Sequence, residues 1–424
     1  MKNKVNIFLL ISVVLAVGIF TLAVADVRIE YFENYGVNFR RNVKTIAEKL
    51  NINMPQQMEE FVNQTPPPMT EEEQEKLAED IKKETEANSE AEKLPVQSKK
   101  SFSGDAIIVP FKNAYAAAYA NFNSQLLCAS DTRLVCYKMD GTEEWSAELQ
   151  LSNPMLKVSD KYILAADEGS TKLYLFENDK KLWEQNLDSA IISVDVSANG
   201  DAVIVTDKAH YKGGVTVINK KGETVYQWNS GSHEVMDADI SATSRTLAVL
   251  LLNTDNGTDS QIQFFDIKKE NSYETVDVAD SIIFDIEFCE EILNAVADNR
   301  LIGFKVSGSE SWKKEFDGKI LNRYKMEDSG YKVCVFDNNN ASQISVITGK
   351  GSERSSIDTR DLPEKIDICD GYILYNSQRT LTLMPISGKK PRIYNCTNDI
   401  YDLFLFNSKS LAVVYNSSIG FINL

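Results

Sequence analysis

Short apolar runs, each ending in a turn rich in Gly, Asn, Asp or Lys, follow one another from about residue 105 to the C-terminus. They recur with a period of about 40 residues, and the copies are RLVCYKMDGTEEW, KLYLFENDKKLW, GVTVINKKGETVYQW, RLIGFKVSGSESW and, more degenerate, TLTLMPISGKKPRIY. A second strand pair precedes each copy, as in IISVDVSANGDAVIVTD and IIFDIEFCEEILNAVAD. Four short strands joined by tight turns are typical of one blade of a β-propeller.

The spacing of these units predicts an all-β domain over residues 105–424 with eight blades, and seven or nine blades are the alternatives. The innermost strands are expected near residues 114, 154, 192, 236, 282, 321, 365 and 400. The last unit ends one strand short, whereas AIIVPF at Ala106–Phe111 belongs to no unit. This N-terminal strand is therefore predicted to complete the last blade and close the ring, which removes an exposed sheet edge.

Residues 5–24 (VNIFLLISVVLAVGIFTLAV) are uncharged and mostly apolar, and they follow a short tail at residues 1–4 that contains two lysines. A helix of this length spans the roughly 30 Å hydrocarbon core of a bilayer. The sequence predicts one transmembrane anchor, and a cleaved signal peptide is the alternative because Ala23, Val24 and Ala25 suit a signal peptidase. A short tail before a first apolar segment predicts that the C-terminal body lies outside the cytoplasm, although basic residues flank both ends of the segment.

Residues 25–50 form a juxtamembrane segment in which Phe39, Val43, Ile46 and Leu50 have helical spacing. This spacing predicts a short amphipathic helix, which is either a membrane-surface or partner helix or a plain extension of the anchor. Residues 51–104 contain a proline run followed by an acidic stretch with almost no aromatic residues. Such a composition predicts a flexible, solvated linker between the anchor and the propeller.

Charge and cysteine usage narrow the possible partners. The formal net charge of −17 leaves no basic footprint for phosphates, which argues against nucleic acid. The six cysteines show no CxxC spacing, so neither a zinc site nor a disulfide framework is indicated. Cys128 and Cys136 flank one predicted hairpin and are the pair best placed to bridge, and buried free thiols are the other interpretation.

Two motifs resemble known propeller repeats. DVSANGDAVIV at Asp195–Val205 is similar to repeats of WD40-like and quinoprotein-like propellers, and the turn at Asp140–Trp145 resembles the quinoprotein type more closely. The Gly-His and Trp-Asp pairs of WD40 repeats are missing. The layout of anchor, acidic linker and degenerate propeller resembles uncharacterised single-pass, membrane-anchored propeller proteins of Gram-positive bacteria, a domain-of-unknown-function family. The resemblance implies a layout and no activity.

Signals for catalysis or metal binding are sparse. The two histidines, His210 and His233, lie in loop-like contexts, and the sequence contains no G-x-S-x-G, H-E-x-x-H, P-loop or Rossmann motif. NTDNGTD at residues 253–259 groups oxygen ligands around a glycine. It lacks the alternating register and closing Glu of a calcium loop, which favours an Asx-rich turn. The sequence therefore predicts no cofactor, no metal ion and no enzymatic activity.

One chemical feature does repeat, an acidic residue on the predicted inner strands. Pseudo-symmetry is expected to gather these side chains around the central channel, with Lys157 and Arg323 nearby to offset part of the charge. Such a ring can bind a cation or a basic peptide; alternatively, each carboxylate accepts hydrogen bonds within its own blade and is structural. The five residues are Asp195, Asp239, Asp285, Asp367 and Asp402.

These observations favour a membrane-tethered, extracytoplasmic and non-catalytic propeller that binds a protein of the cell envelope or acts as a scaffold. One alternative is a ligand or cation sensor that uses the central channel, and another is a degenerate lactonase-like hydrolase. The tryptophans are expected to pack between adjacent blades rather than to bind a cofactor. They occur in four of the units, as Trp145, Trp183, Trp228 and Trp312.

Overall fold

The computed structural model describes residues 100–101, 106–253, 259–327, 329–338, 341–360 and 362–423. The predicted anchor, the juxtamembrane segment and nearly all of the linker lie outside the described residues, as do residues 254–258 of the calcium-like turn. Among the residues that the structure describes, none belongs to a helix long and apolar enough to cross a membrane.

Eight sheets form the blades, each built on four antiparallel strands and one extended by a short fifth strand, which confirms the prediction of an all-β, eight-bladed propeller. Blades are numbered here in chain order. The innermost strands are Ala118–Phe122, Pro154–Ser159, Ala190–Val196, Glu234–Ile240, Ile283–Cys289, Ile320–Met326, Lys365–Cys369 and Asp402–Asn407. The second strands are Gln125–Ala129, Tyr162–Asp167, Ala202–Asp207, Thr246–Asn253, Ile292–Ala297, Lys332–Asn338, Tyr372–Ser377 and Ser410–Val414.

The outer half of each blade continues the same order. The third strands are Arg133–Tyr137, Lys172–Glu177, Gly214–Ile218, Asp259–Asp266, Arg300–Lys305, Ala341–Ile347, Thr380–Pro385 and Ser418–Asn423. The outermost strands are Glu143–Glu148, Lys180–Asn186, Thr224–Asn229, Ser272–Val278, Glu310–Glu315, Glu353–Thr359, Arg392–Asn395 and Ile107–Pro110. A 3-10 helix at Ala114–Ala116 and a two-residue strand at Lys100–Ser101 complete the described elements.

The last blade takes its outermost strand from the N-terminal end of the domain. Ile107–Pro110 pairs antiparallel with Ser418–Asn423, which confirms the prediction that this strand closes the ring. The strand Lys100–Ser101 lies within the predicted linker, yet it pairs in parallel with the outer edge of blade 7. An outermost strand presents unpaired backbone groups, and this short strand satisfies part of that edge.

The first innermost strand starts later than the sequence indicates. It begins at Ala118 rather than near residue 114, because Ala114–Ala116 form a 3-10 turn after Asn113, whose φ is 55°. The hydroxyl of Tyr119 donates to the carbonyl of Ala114 at 2.8 Å and fixes this turn against the strand. The remaining seven innermost strands begin within two residues of the predicted positions.

The core is divided among the seams between blades. Eight apolar clusters each combine residues of two neighbouring blades, and the cluster between blades 8 and 1 closes the circle. Because both faces of a blade are covered, second strands such as Tyr162–Asp167 are buried along their whole length. Outermost strands such as Glu310–Glu315 instead alternate between exposed and partly buried positions. Cys128 and Cys136 are free thiols rather than a disulfide, and both are buried in these seams, as are Cys334 and Cys396.

The tryptophans pack against the following blade, as predicted. Trp183 donates its indole N–H to the carbonyl of Asn219 at 3.1 Å, and the ring of Trp228 lies 5.1 Å from that of Phe265. Trp312 lies so close to Gly351 in the next blade that a Cβ there would come within 2.4 Å of the indole. Gly351 also has a φ of 76°, which favours glycine at this turn.

Candidate functional site at the upper rim and channel

Chain direction defines two faces of the propeller. Every innermost strand begins at one face, here called the upper face, which also carries the connections between blades and the loops between second and third strands. The opposite, lower face carries the turns between first and second strands and between third and fourth strands. All innermost strands run in the same direction, so equivalent positions in different blades lie at equal depth below the upper face.

A β-bulge interrupts the innermost strand close to the upper face in blades 3 to 6. The extra residues are Ile192, Met236, Phe284 and Asn322. A bulged residue is left unpaired and its side chain is redirected away from the sheet. Consequently, Ile192, Met236 and Phe284 are 40%, 41% and 44% exposed, although each lies on an inner strand.

The bulges set two levels of side chains on the channel side of the seams. The first level follows the bulge directly and consists of Ser193, Asp237, Asp285 and Arg323. The second level lies two residues further along each strand and consists of Asp195, Asp239, Glu287 and Lys325. Side chains two residues apart on a strand point the same way, so both levels face the same seam.

Blades 7 and 8 place side chains on the same two levels without a bulge near the upper face. Asp367 accepts the same pair of backbone hydrogen bonds as Asp239, so it belongs to the second level. Lys365 lies two residues before Asp367 on the first level, and Asp402 holds the equivalent place in blade 8.

The five aspartates predicted at similar positions therefore lie on two levels. Asp195, Asp239 and Asp367 lie on the second level, whereas Asp285 and Asp402 lie on the first. Sequence spacing did not separate them because the two levels are only two residues apart on a strand. It also missed Asp237 and Glu287, for which a signal exists: a pair of apolar residues precedes the first level in IIS, VMD and IFD.

Two of the aspartates tie adjacent blades together. Asp239 accepts the N–H of Ile240 at 2.6 Å with one oxygen and the N–H of Phe288, in the next blade, with the other. Asp367 accepts the N–H groups of Ile368 and, across the next seam, Leu405 at 3.0 and 2.7 Å. Both side chains are buried, and burial raises the pKa of each carboxyl group. Their oxygens are already used by the backbone, which supports a structural role for these two.

Asp237 and Asp285 are different because they are partly exposed and bonded to hydroxyl groups. Asp237 accepts a hydrogen bond from Ser193, and Asp285 accepts one from Tyr324, both at 2.9 Å. Neither carboxylate forms an ion pair within 4.0 Å in the part of the chain that the structure describes. Burial, and then the neighbouring Asp285 carboxylate, raises the pKa of Asp237 to about 6. Burial is also the main cause of the raised pKa of Asp285.

A single lysine faces this group of acids. Nζ of Lys157, on blade 2, lies 3.7 Å from Oδ2 of Asp195. The Asp195 carboxylate is the main cause of the raised pKa of Lys157, and Glu287, Asp285 and Asp237 add to it. One ammonium group thus interacts with carboxylates from blades 3, 4 and 5. We call these five carboxylates the acidic arc: Asp195, Asp237, Asp239, Asp285 and Glu287.

The other side of the channel carries both signs of charge. Arg323, Lys325 and Lys365 lie there with Asp367 and Asp402, and we call this set the mixed arc. Nζ of Lys325 is 4.0 Å from Oδ1 of Asp367, and the Lys365 ammonium lies 5.5 Å from the centre of the Tyr401 ring. The charges of the mixed arc therefore largely compensate one another, whereas Asp237 and Asp285 of the acidic arc form no ion pair with a described residue.

Exposed apolar side chains surround the channel mouth. Of the twelve large apolar residues that are exposed among those described, eight lie at the upper face and four lie on outermost strands. Seven of the eight occur at or just before the start of an innermost strand, and only blade 2 contributes none. We call these seven residues the rim: Tyr115, Ile192, Met236, Phe284, Ile320, Leu362 and Tyr401.

Metal-ligating groups, histidines and clefts among the described residues do not point to a catalytic site at the rim or channel. The described part of the chain holds no group of three or more His, Cys, Asp or Glu side chains arranged to bind a metal ion. His210 and His233 both lie in upper-face connections, and Nδ1 of His233 is buried without a hydrogen-bond partner among the described residues. Two shallow clefts lie between outer strands, away from the channel residues.

Comparisons with known proteins agree with the fold. Residues 98–424 match the model of a family of unknown function (DUF5711). Among curated protein sequences, none matches this chain.

Solved structures of other propellers are similar in shape. BamB from Moraxella catarrhalis has 13% identity and a TM-score of 0.51, and the match covers 76% of this chain and 100% of BamB. The computationally designed Ika8 protein has 13% identity and a TM-score of 0.58, and the match covers 76% of this chain and 100% of Ika8. The C-terminal WD40 domain of Sif2 has 11% identity and a TM-score of 0.56, and the match covers 76% of this chain and 99% of that domain. The predicted resemblance to quinoprotein-like and WD40-like propellers is thereby confirmed for the fold.

Proposed function

This chain belongs to the DUF5711 family of unknown function, and we propose that it is a non-catalytic propeller that binds a protein partner through its rim. The observation that carries the proposal is the concentration of exposed apolar side chains at one face. Apolar groups gathered on loops and strand ends of a rigid scaffold mark interaction surfaces. β-bulges present three of these side chains to solvent, and bulges that redirect side chains are frequent at functional sites.

A binding role has more support than a hydrolytic one. Asp239 and Asp367 accept backbone hydrogen bonds with both carboxylate oxygens, so they are committed to holding blades together. Asp237 and Asp285 are the open carboxylates of the channel, and the described residues hold no group of three or more side chains arranged to bind a metal ion. The exposed apolar rim instead offers surface of the kind found at the centre of protein interfaces.

We further propose that the propeller is tethered outside the cytoplasm and that its partner belongs to the cell envelope. The support is the apolar sequence of residues 5–24, followed by an acidic linker long enough to hold the propeller clear of a bilayer. Protease added to intact cells is expected to remove an epitope tag fused after Leu424. Full protection of the tag, under conditions in which a known external protein is cleaved, would contradict this location.

Photo-crosslinking in living cells tests the docking face. A photo-reactive amino acid replaces Phe284 on the rim in one strain and Tyr273 on an outermost strand in another, and both native side chains are 44% exposed. Adducts with one discrete partner are expected from position 284 and not from position 273. Equal adducts from both positions, or adducts from 273 alone, would show that the rim is not the docking face.

A further inference from the structure

The rim is not uniform, because its apolar residues meet different charges on the two sides of the channel. Ile192, Met236 and Phe284 each directly precede a first-level residue of blades 3 to 5, where the acidic arc begins. The bulge of blade 6 places the polar Asn322 at the same position, beside Arg323. At blade 8 the rim residue Tyr401 also precedes a first-level carboxylate, Asp402. Burial raises the pKa of that group, but Lys365 and Lys325 lie near enough to oppose the rise. A partner that spreads across the rim therefore finds apolar contacts next to carboxylates without an ion-pair partner among the described residues at blades 4 and 5.

The acidic arc lacks compensating charge close to the upper face. Asp237 and Asp285 are bonded to the hydroxyl groups of Ser193 and Tyr324. The nearest cation to enter the arc, Lys157, lies on the second level and is 3.7 Å from Asp195. A positively charged group that entered the channel from the upper face would reach Asp237 and Asp285 above the level of Lys157.

The chemistry of the arc favours a basic side chain over other cations. Calcium and magnesium need several oxygen ligands that converge within about 2.6 Å of one point, and the described residues contain no such group. An arginine or lysine side chain instead brings its own reach and several N–H donors, and its stem packs on apolar surface. An anionic bilayer is disfavoured, because the arc and the net charge of −17 repel it.

We infer that the partner presents a lysine or arginine flanked by apolar side chains, and that this basic side chain enters the channel between blades 3 and 5. The inference rests on the proposed function, since it specifies what the rim binds. The guanidinium or ammonium group is held by Asp237 and Asp285. The flanking apolar side chains rest on Ile192, Met236 and Phe284.

The environment of Asp237 makes this binding dependent on pH. Burial and the Asp285 carboxylate raise its pKa, while Lys157 and the Ser193 hydroxyl oppose that change and Asp195 adds to it. An incoming cation favours the ionised form of this carboxyl group. Binding is therefore expected to strengthen as the pH rises from 5 to 7, the range that contains its pKa of about 6.

The test uses the full-length protein in detergent micelles and a phage-displayed library of random dodecapeptides. Selected peptides are expected to share a basic residue between apolar ones. Synthetic copies are then measured against the wild type and three variants: Asp237→Asn with Asp285→Asn, Met236→Gln with Phe284→Gln, and Asp131→Asn. The last is a matched control, because Asp131 is an exposed acid of the upper face outside the acidic arc.

The acid double variant is expected to bind at least about tenfold more weakly, and the Asp131→Asn control is expected to bind like the wild type. Replacing the basic residue of the peptide by norleucine should weaken binding to the wild type by the same factor as the acid double substitution does. It should not weaken binding to the acid double variant any further. If the acid double variant binds normally while the rim double variant does not, the inference fails and the proposed function stands. If neither variant loses binding, the proposed function fails. Selected peptides without a basic residue, or calcium that displaces them, would also overturn the inference.

Discussion

The upper and lower faces of this propeller are built by the same repeat, yet they differ in which side chains they expose to solvent. The lower face consists of short turns in which residues such as Gly141, Gly222 and Gly351 have positive φ values and fit closely against neighbouring side chains. The upper face carries the rim and the partly exposed carboxylates of the acidic arc. The lower-face turns thus stabilise the fold through close packing, whereas the rim side chains and the open carboxylates of the upper face add little to stability or lower it.

Because of that difference, substitutions that affect stability and substitutions that affect binding are expected at different places in the molecule. Substitutions at the lower face and in the seams should lower the free energy of unfolding and leave binding intact in the molecules that remain folded. Substitutions at the rim and the open carboxylates should lower binding and spare the fold. The following experiments are ordered by the size of their expected effect on stability.

The largest effect is expected from Gly351→Val at the lower face. The new side chain meets the Trp312 ring, which lies 2.4 Å from the Cβ position, and valine disfavours a φ of 76°. A loss of about 3 to 5 kcal/mol is expected in urea denaturation. Gly371→Val is the matched control, since its φ is 73° but no atom lies within 4 Å of a Cβ. It should cost only about 1 to 2 kcal/mol, and equal losses would contradict the role of the tryptophan wedge.

The next effect concerns the carboxylates that join blades. Asp239→Ala removes the acceptor of the N–H groups of Ile240 and Phe288, and Asp367→Ala does the same for Ile368 and Leu405. Each variant should lose about 2 kcal/mol, because buried donors are left unsatisfied. Asp→Asn at either site keeps one acceptor and should lose less. Two alanine variants of unchanged stability, measured by urea denaturation, would remove the structural interpretation.

The positions of the blades were predictable from the sequence because each repeat needs particular residue types at its turns and in its buried strands. Turn residues such as Gly141 recur at fixed offsets, and apolar strands are buried on both faces in every blade. The closing strand was predictable at Ala106–Phe111 and is observed at Ile107–Pro110, since an incomplete last blade requires a partner. Alternating or continuous runs of apolar residues still predict strands in repeats whose sequence motifs have diverged.

The candidate site was less predictable because it depends on offsets of two residues within short strands. Asp285 directly follows the bulge of blade 5, whereas Asp195 lies two residues further along after the equivalent bulge of blade 3, although both follow similar apolar stretches. Hydrogen bonds across seams, such as that from Phe288 to Asp239, join residues 49 positions apart. No local pattern encodes which carboxylate meets a backbone N–H and which remains open.

A smaller effect, of opposite sign, is expected at the open carboxylates. The folded-state pKa of Asp237, about 6, lies above the usual value of about 4. The carboxyl group therefore lowers stability as the pH rises from 4 to 6, and the cost is fully present above pH 6. Asp237→Asn should raise the free energy of unfolding by about 1 to 2 kcal/mol at pH 7 and leave it unchanged at pH 4. Asp131→Asn should change it by less than about 0.5 kcal/mol at both pH values. A stabilisation that is equal at pH 4 and pH 7 would show that charge is not its cause.

The smallest effect on stability is expected at the rim itself. Met236→Gln should change the free energy of unfolding by less than about 0.5 kcal/mol, because the side chain is 41% exposed. Its neighbour Val235 is 4% exposed in the seam between blades 3 and 4, and Val235→Ala should cost about 1 to 3 kcal/mol. Photo-crosslinking from position 284 should weaken with Met236→Gln and persist with Val235→Ala. If Met236→Gln unfolded the protein as readily as Val235→Ala, the bulge would serve the fold rather than the surface, and the two faces would no longer differ in kind.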